Sequence, residues 1–305
     1  MHKRTLANIH ALAIPTVDRR AEDIPEADKR YINRLNSASE EGSILVTVIP
    51  TVKDYRIEVP YVFAERICHR LDVPYLPTPD GACVCGTTPI DHFHLLSGCG
   101  TGNLRQCKHD AVKNVYKELG TAGGLSTSTE SRDIPRLVNI DSLEVIDLKY
   151  NNYDAGRHLL CDVMITNADQ REYRAKVIAP GKAARDGEND KVRKYNQKCI
   201  DCGCYFQPIV LEDQGRMGDV TRRVTNDLIA RVQDRRQGSL NPNGADFNKR
   251  YWTAKIVMAL HRASCTGLRV RINEILSKRS ASTSDSESYL ANEDEQYAAA
   301  MRGVF

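Results

Sequence analysis

Apolar positions along this chain switch between helical and strand-like spacing in a definite order. Residues 43–52 are β-branched and predict a strand or extended segment. Behind Pro60, the residues Phe63, Ile67 and Leu71 recur every four positions and predict a helix with Pro60 in its first turn. Pro74, Pro77, Pro79 and Gly81 then break the pattern. Over 108–119, Ala111, Val112, Val115, Tyr116 and Leu119 form one face of a second helix, stopped near Gly120. The Ser-, Thr- and Gly-rich residues 121–131 predict a loop. Two strand-like runs follow, 143–150 and 158–166, joined by a polar turn containing Gly156. A charged helix is expected over 183–202, a strand over 205–211, and helices over 219–236, 247–262 and 268–278.

That order predicts a mixed α/β domain over 104–236. The units around it are a partly disordered N-terminal linker (1–42), whose residues 18–42 form a linker or short surface helices, a helical linker with a cysteine-rich segment (43–103), basic helices (237–279) and a disordered acidic tail (280–305). No internal repeat is visible. With 305 residues, 41% hydrophobic and 27% charged, the composition is that of a globular chain with polar fringes. No apolar run approaches the ~20 residues of a membrane span, and 1–17 lacks the apolar stretch of a signal peptide. An intracellular chain is therefore expected, in which ten cysteines point to metal ligation or buried thiols rather than disulfides.

The net charge of +3 hides an asymmetry. The tail from residue 280 is acidic, and the body before it is basic enough to suit a polyanionic partner or simply a solvated surface. Between 246 and 279, Lys249, Arg250, Lys255, Arg262, Arg269, Arg271, Lys278 and Arg279 face Asp246 and Glu274. Basic side chains on such a helix can neutralise phosphates while Trp252, Ile256 and Leu260 pack inward.

Two constellations carry chemistry. In the first, Cys83-Val84-Cys85 is followed by His94 and Cys99, thiolate and imidazole groups that suit a tetrahedral Zn²⁺. His92 and Cys107 stand as alternative ligands, and the bland reading is a set of buried thiols. With four positions filled, the ion would be structural. Cys199, Cys202 and Cys204 have no histidine nearby and read as packing thiols. In the second, Asp147 and Asp162 lie in the two strand-like runs, where an antiparallel hairpin would set their carboxylates side by side. Two such charges repel unless a cation separates them, and Mg²⁺ is the natural one. Lys191, Lys194 and Lys198 share a face of the next predicted helix and could approach them. Glu130 and Glu144 read as surface acids.

Taken in order, Cys83-x-Cys85-x₈-His94-x₄-Cys99, Lys108-His109-Asp110, Asp147-x₁₄-Asp162 and Lys191-Val-Arg-Lys194-Tyr195 form an array. It resembles the C-terminal region of non-LTR retrotransposon polyproteins of the restriction-like endonuclease class, over about residues 43–236. The resemblance implies a PD-(D/E)XK fold, a small mixed sheet flanked by helices, with a zinc knuckle before it. It further implies that Asp147 and Asp162 bind catalytic Mg²⁺, that Lys191 or Lys194 is a displaced catalytic lysine, and that Lys108 and His109 contact nucleic acid. Ile146 and Met164 depart from the motif, standing where Pro and the motif's lysine are usual. No Tyr/Phe-x-Asp-Asp polymerase motif is present.

The expected activity is Mg²⁺-dependent nicking of DNA that primes reverse transcription in the family. DNA is the expected partner, with element RNA, a reverse transcriptase or a parent polyprotein as further ones, and the nucleus as location. The rival readings are a catalytically inactive, zinc-containing nucleic-acid-binding module and a protein-interaction scaffold using the acidic tail.

Overall fold

The computed structural model describes residues 26–44, 66, 67, 70, 83, 85–87, 94, 95, 99, 104–131, 145–173, 178–236 and 244–280. Of the strand expected over 43–52 only Ser43 and Ile44 are described, and they are helical rather than extended. Residues 45–52, most of the helix after Pro60, His92, Glu144 and the acidic tail lie outside the described residues.

The centre is a four-stranded mixed sheet flanked by helices, as expected of a restriction-endonuclease-like α/β domain. Strand β1 (Ser126–Ser131) pairs antiparallel with β2 (Ile146–Asp154), and β2 pairs antiparallel with β3 (Arg157–Thr166). The chain then crosses over, and β4 (Tyr205–Glu212) lies parallel to β3. A parallel neighbour cannot be reached by a tight turn, and helix α3 (Lys182–Asp201) makes the crossover. The β2–β3 turn is Ala155-Gly156, both at positive φ (47° and 81°), which suits the twist of a two-residue hairpin.

The two faces of the sheet are covered differently. Leu148, Tyr150, Leu159, Cys161 and Val163 pack with α2 (Leu104–Ala122), α4 (Asp219–Arg236) and α5 (Gly244–Ser280) in the larger core. Leu160, Ile146 and Phe206 pack under α3 with Tyr195, Cys199 and Cys204, so these thiols are packing groups. Because β3 is buried on both faces, its sequence is nearly continuously apolar, and Asp162 stands out within it. Helix α2 sits so close to β2 that a Cβ on Gly120 would fall 2.3 Å from the Tyr150 ring. Tyr150 donates its hydroxyl to the Tyr116 carbonyl at 3.0 Å.

Three features differ from the sequence reading. The segment 126–131 is an edge strand rather than part of a loop, because its ladder needs backbone groups and no apolar face. The two expected C-terminal helices are one helix of 37 residues, about 55 Å long at 1.5 Å per residue. Gly267, between them, does not stop it, since a Cβ there would collide with Leu104. Residues 26–42, expected as a linker or short surface helices, do form a helix, α1 (Glu26–Ser37), but with a 3₁₀ turn (Glu40–Ser43) they are docked on the domain by buried groups. Arg30 donates twice to Asp169 (2.8 and 3.0 Å). Asn33 is fully buried and accepts the Ile178 amide at 2.9 Å. Among the described residues no helix is long and apolar enough to cross a membrane.

Candidate active site and metal centre

Leu148 on β2 pairs with Cys161 on β3, so the antiparallel register sets Asp147 and Asp162, one step further, level with each other. Asp147 does not project into solvent. Its Oδ2 accepts the Val163 amide of the neighbouring strand at 2.7 Å and lies 2.9 Å from His109 Nε2. The other imidazole nitrogen lies 3.1 Å from Asp110 Oδ1, and Asp110 is held by Lys113 at 2.8 Å. Burial works against protonation of His109, but the hydrogen bonds to Asp147 and Asp110 outweigh it and raise the imidazole above its ordinary pKa. An imidazolium donates from both nitrogens, which matches a ring set between two carboxylates.

Asp162 is 5% exposed and ion-paired through Oδ2 with the Lys191 ammonium. Burial raises its carboxyl above the ordinary range. The Lys191 ammonium opposes the rise, and the negative charge of Asp147 adds to it. The two acids therefore sense each other, and each also has its own cation, His109 from α2 and Lys191 from α3. Of the three lysines named from sequence, Lys191 is the one ion-paired with Asp162. Lys194 is exposed, with its ammonium 4.7 Å from the centre of the Tyr195 ring. Tyr195 is buried against Phe206, which fixes the rotation of α3 and hence which lysine faces the sheet.

The residues assigned to nucleic-acid contact divide. Lys249 and Arg250 are exposed on the first turns of α5. Lys255 is tied to Glu118 at 2.7 Å and lies over the Trp252 ring. Lys108 requires a correction: it is 2% exposed and donates to Asp213 Oδ1 at 2.7 Å, so it cannot reach a phosphate. Asp213 also holds the buried Arg66 guanidinium at 3.0 Å. Sequence reading missed this network, because the partners are 105 and 147 residues apart and no local pattern joins them.

The second centre lies before α2. The ligand atoms of Cys83, Cys85, His94 and Cys99 all fall within 4.8 Å of one another. Cys83 Sγ and Cys99 Sγ are 3.7 Å apart, and Cys85 Sγ is 3.3 Å from His94 Nε2. A tetrahedron with ~2.3 Å metal–sulfur bonds has edges of about 3.8 Å, so these side chains are arranged as four ligands of one ion such as zinc. Cys107 is exposed on α2 and outside the group. The Thr87 hydroxyl and amide lower the Cys85 thiol to about 6, favouring the thiolate that metal binding needs.

No protein-family model matches the chain. Over 196 residues, 61% of its length, it is 26% identical to the retrotransposable element SLACS 132 kDa protein of Trypanosoma brucei gambiense. The chain is similar to a retroelement protein. It spans 15% of that relative's length.

Proposed function

We propose that this chain is the metal-dependent DNA endonuclease part of a retroelement protein, with a structural zinc knuckle attached. One observation carries the reading: two acids on adjacent strands, one of them buried with a raised proton affinity, meet a lysine and a histidine from opposite helices. The donor set fits Mg²⁺, because two carboxylates are its usual protein ligands and a buried acid resisting ionisation gains most from a divalent cation. When bound, Mg²⁺ would lower the pKa of a water for attack on phosphorus and offset charge on the leaving oxygen. The chain supplies the rest. The Val163 amide and His109 orient Asp147, and Asp162 is kept from bulk water. Lys191 is aimed to offset negative charge that develops on the phosphoryl oxygens. Target priming, a reverse-transcriptase partner and a nuclear location extend the same reading through the resemblance.

Nicking of supercoiled plasmid tests it. Open-circle product should form in Mg²⁺ and not without it. Lys191→Ala should lower the rate about 10²–10³-fold, whereas Lys194→Ala should stay within about threefold. Equal rates for the two variants would remove Lys191 from the mechanism. DNA binding without nicking under any divalent ion would instead favour the inactive binding module.

For the knuckle, the purified chain should carry one zinc ion. Cys85→Ser should lose it and lower the melting temperature, whereas Cys107→Ser should keep it. Metal analysis alongside thermal unfolding reads both effects, and full zinc content in Cys85→Ser would refute the ligand set.

A further inference from the structure

A lone exposed phenylalanine says little about function. Phe247 is not lone. It is 64% exposed on the second turn of α5, and its ring stacks on that of Tyr251 at 6.1 Å and 16°. Tyr251 is in turn braced edge-on by the buried Trp252 at 5.3 Å. The result is an aromatic ledge anchored in the core, with one flat face in solvent. Arg250, three positions on, is its exposed cationic neighbour on the helix surface, and Lys249 is exposed beyond Arg250 on the same turn.

The same turn borders a cavity of about 700 Å³. Ile44, Met217 and Ala254 give it apolar walls, while Asn226, Lys249 and Arg250 add polar and cationic ones. Two acids also line it, but Glu40 is paired with Arg216 and Arg222, and Glu41 with Arg222. Their charge is therefore offset, and an anionic chain is not repelled.

Resting on the nucleic-acid reading above, we propose that this face binds an unpaired nucleic-acid strand. One base stacks on Phe247, and the flanking phosphates lie on Lys249 and Arg250. A flat aromatic face suits a base of any sequence, and paired bases in a duplex cannot offer theirs. The surface is thus specific for single strand over duplex, and it lies outside the Asp147–Asp162 centre.

The test uses the full chain in buffer without added divalent ion or chelator, so that neither strand cleavage nor zinc loss enters. Fluorescence anisotropy measures binding to oligo-dT and oligo-U of about 12 nucleotides, within the usual site sizes, and to a duplex of the same length. Phe247→Ala should weaken single-strand binding about tenfold and duplex binding less than about twofold, and Phe247→Trp should restore it. Replacing Lys249 and Arg250 with Gln should lower the single-strand salt slope by about 1.4, or ~0.7 per phosphate contact. Dependence on Phe247 with either oligonucleotide supports the proposal, and the pair distinguishes DNA from RNA. Unchanged single-strand binding by Phe247→Ala, an equal loss on duplex, or loss only of self-association by sedimentation would overturn it. A chain that fails to nick plasmid but binds single strand through Phe247 would overturn the nuclease reading alone.

Discussion

Asp162→Asn is expected to abolish plasmid nicking, a fall of at least about 10³-fold, without lowering the melting temperature at neutral pH. The two halves of this result have one cause. Asp162 lies in the buried stretch of β3, where an ionised carboxylate is disfavoured and the Lys191 ammonium, helped by the His109 charge, offsets it in part. Asn keeps the shape and removes the charge, so it loses what a divalent cation would bind. Lys191 loses its partner but is partly exposed and can be solvated, so its release costs little. The sign with pH follows. A carboxyl whose folded-state pKa is raised binds its proton more tightly folded than unfolded. Its contribution is therefore unfavourable above the folded pKa and vanishes below the unfolded one. The variant should match wild type near about pH 4 and melt higher near about pH 8. Unfolding scans at both values check this, and wild-type nicking by the variant would end the assignment.

Parts of this site could be read directly from sequence, for definable reasons. Ile146-Asp147-Leu148 and Cys161-Asp162-Val163 each interrupt an apolar strand with a charge, and the Gly156 turn between them implies a hairpin. Local pattern and register were then enough to set the acids level with each other. Lys191 and Lys194 could not be separated, because they share a helical face, and the choice depends on where Tyr195 meets Phe206. Strand β1 was missed because Ser126–Ser131 has no apolar alternation. It is held by backbone pairing with β2, which a polar edge strand needs and a hydrophobicity pattern cannot report. For residues 26–42 a linker or short surface helices could be read, but not their docking, for a similar reason. Their docking runs through Arg30, Asn33 and Arg216 rather than an apolar stripe, and their partners are more than a hundred residues away. Lys108 shows the limit most plainly. Composition counts it as a surface cation, but the carboxylate that buries it belongs to the turn after β4.

That carboxylate underlies the largest stability effect expected here. Asp213 is 1% exposed, with Lys108 on one oxygen at 2.7 Å and Arg66 on the other at 3.0 Å. Arg70 is also buried nearby, where desolvation and the Arg66 charge lower it to about 9. His261 packs against Arg66, and burial together with the two arginines drives its pKa well below the ordinary value, so it adds no charge. Among the described residues, Asp213 thus ties Arg66 to Lys108 of α2, beside Arg70 and against His261 of α5. Asp213→Ala removes the carboxylate between two buried cations and should cost about 3–5 kcal/mol, a drop in melting temperature of roughly 6–20 °C for a domain of this size. Glu118→Ala, which breaks the surface pair with Lys255, should cost less than about 1 kcal/mol. A pH signature separates lost charge balance from lost packing. Burial already lowers the Lys108 ammonium, and without Asp213 it would fall further. A lysine with a lowered folded-state pKa destabilises the fold fully below that pKa, and the penalty declines as pH rises from there to the unfolded value of about 10.4. The deficit of the variant should therefore shrink as pH rises toward about 10.4, and a deficit flat with pH would assign it to packing. Nicking should fall as well, because Lys108 directly precedes His109 and the same contact fixes the turn that presents the imidazole to Asp147. Asp213→Ala with unchanged melting and nicking would mean that these cations are hydrated rather than buried.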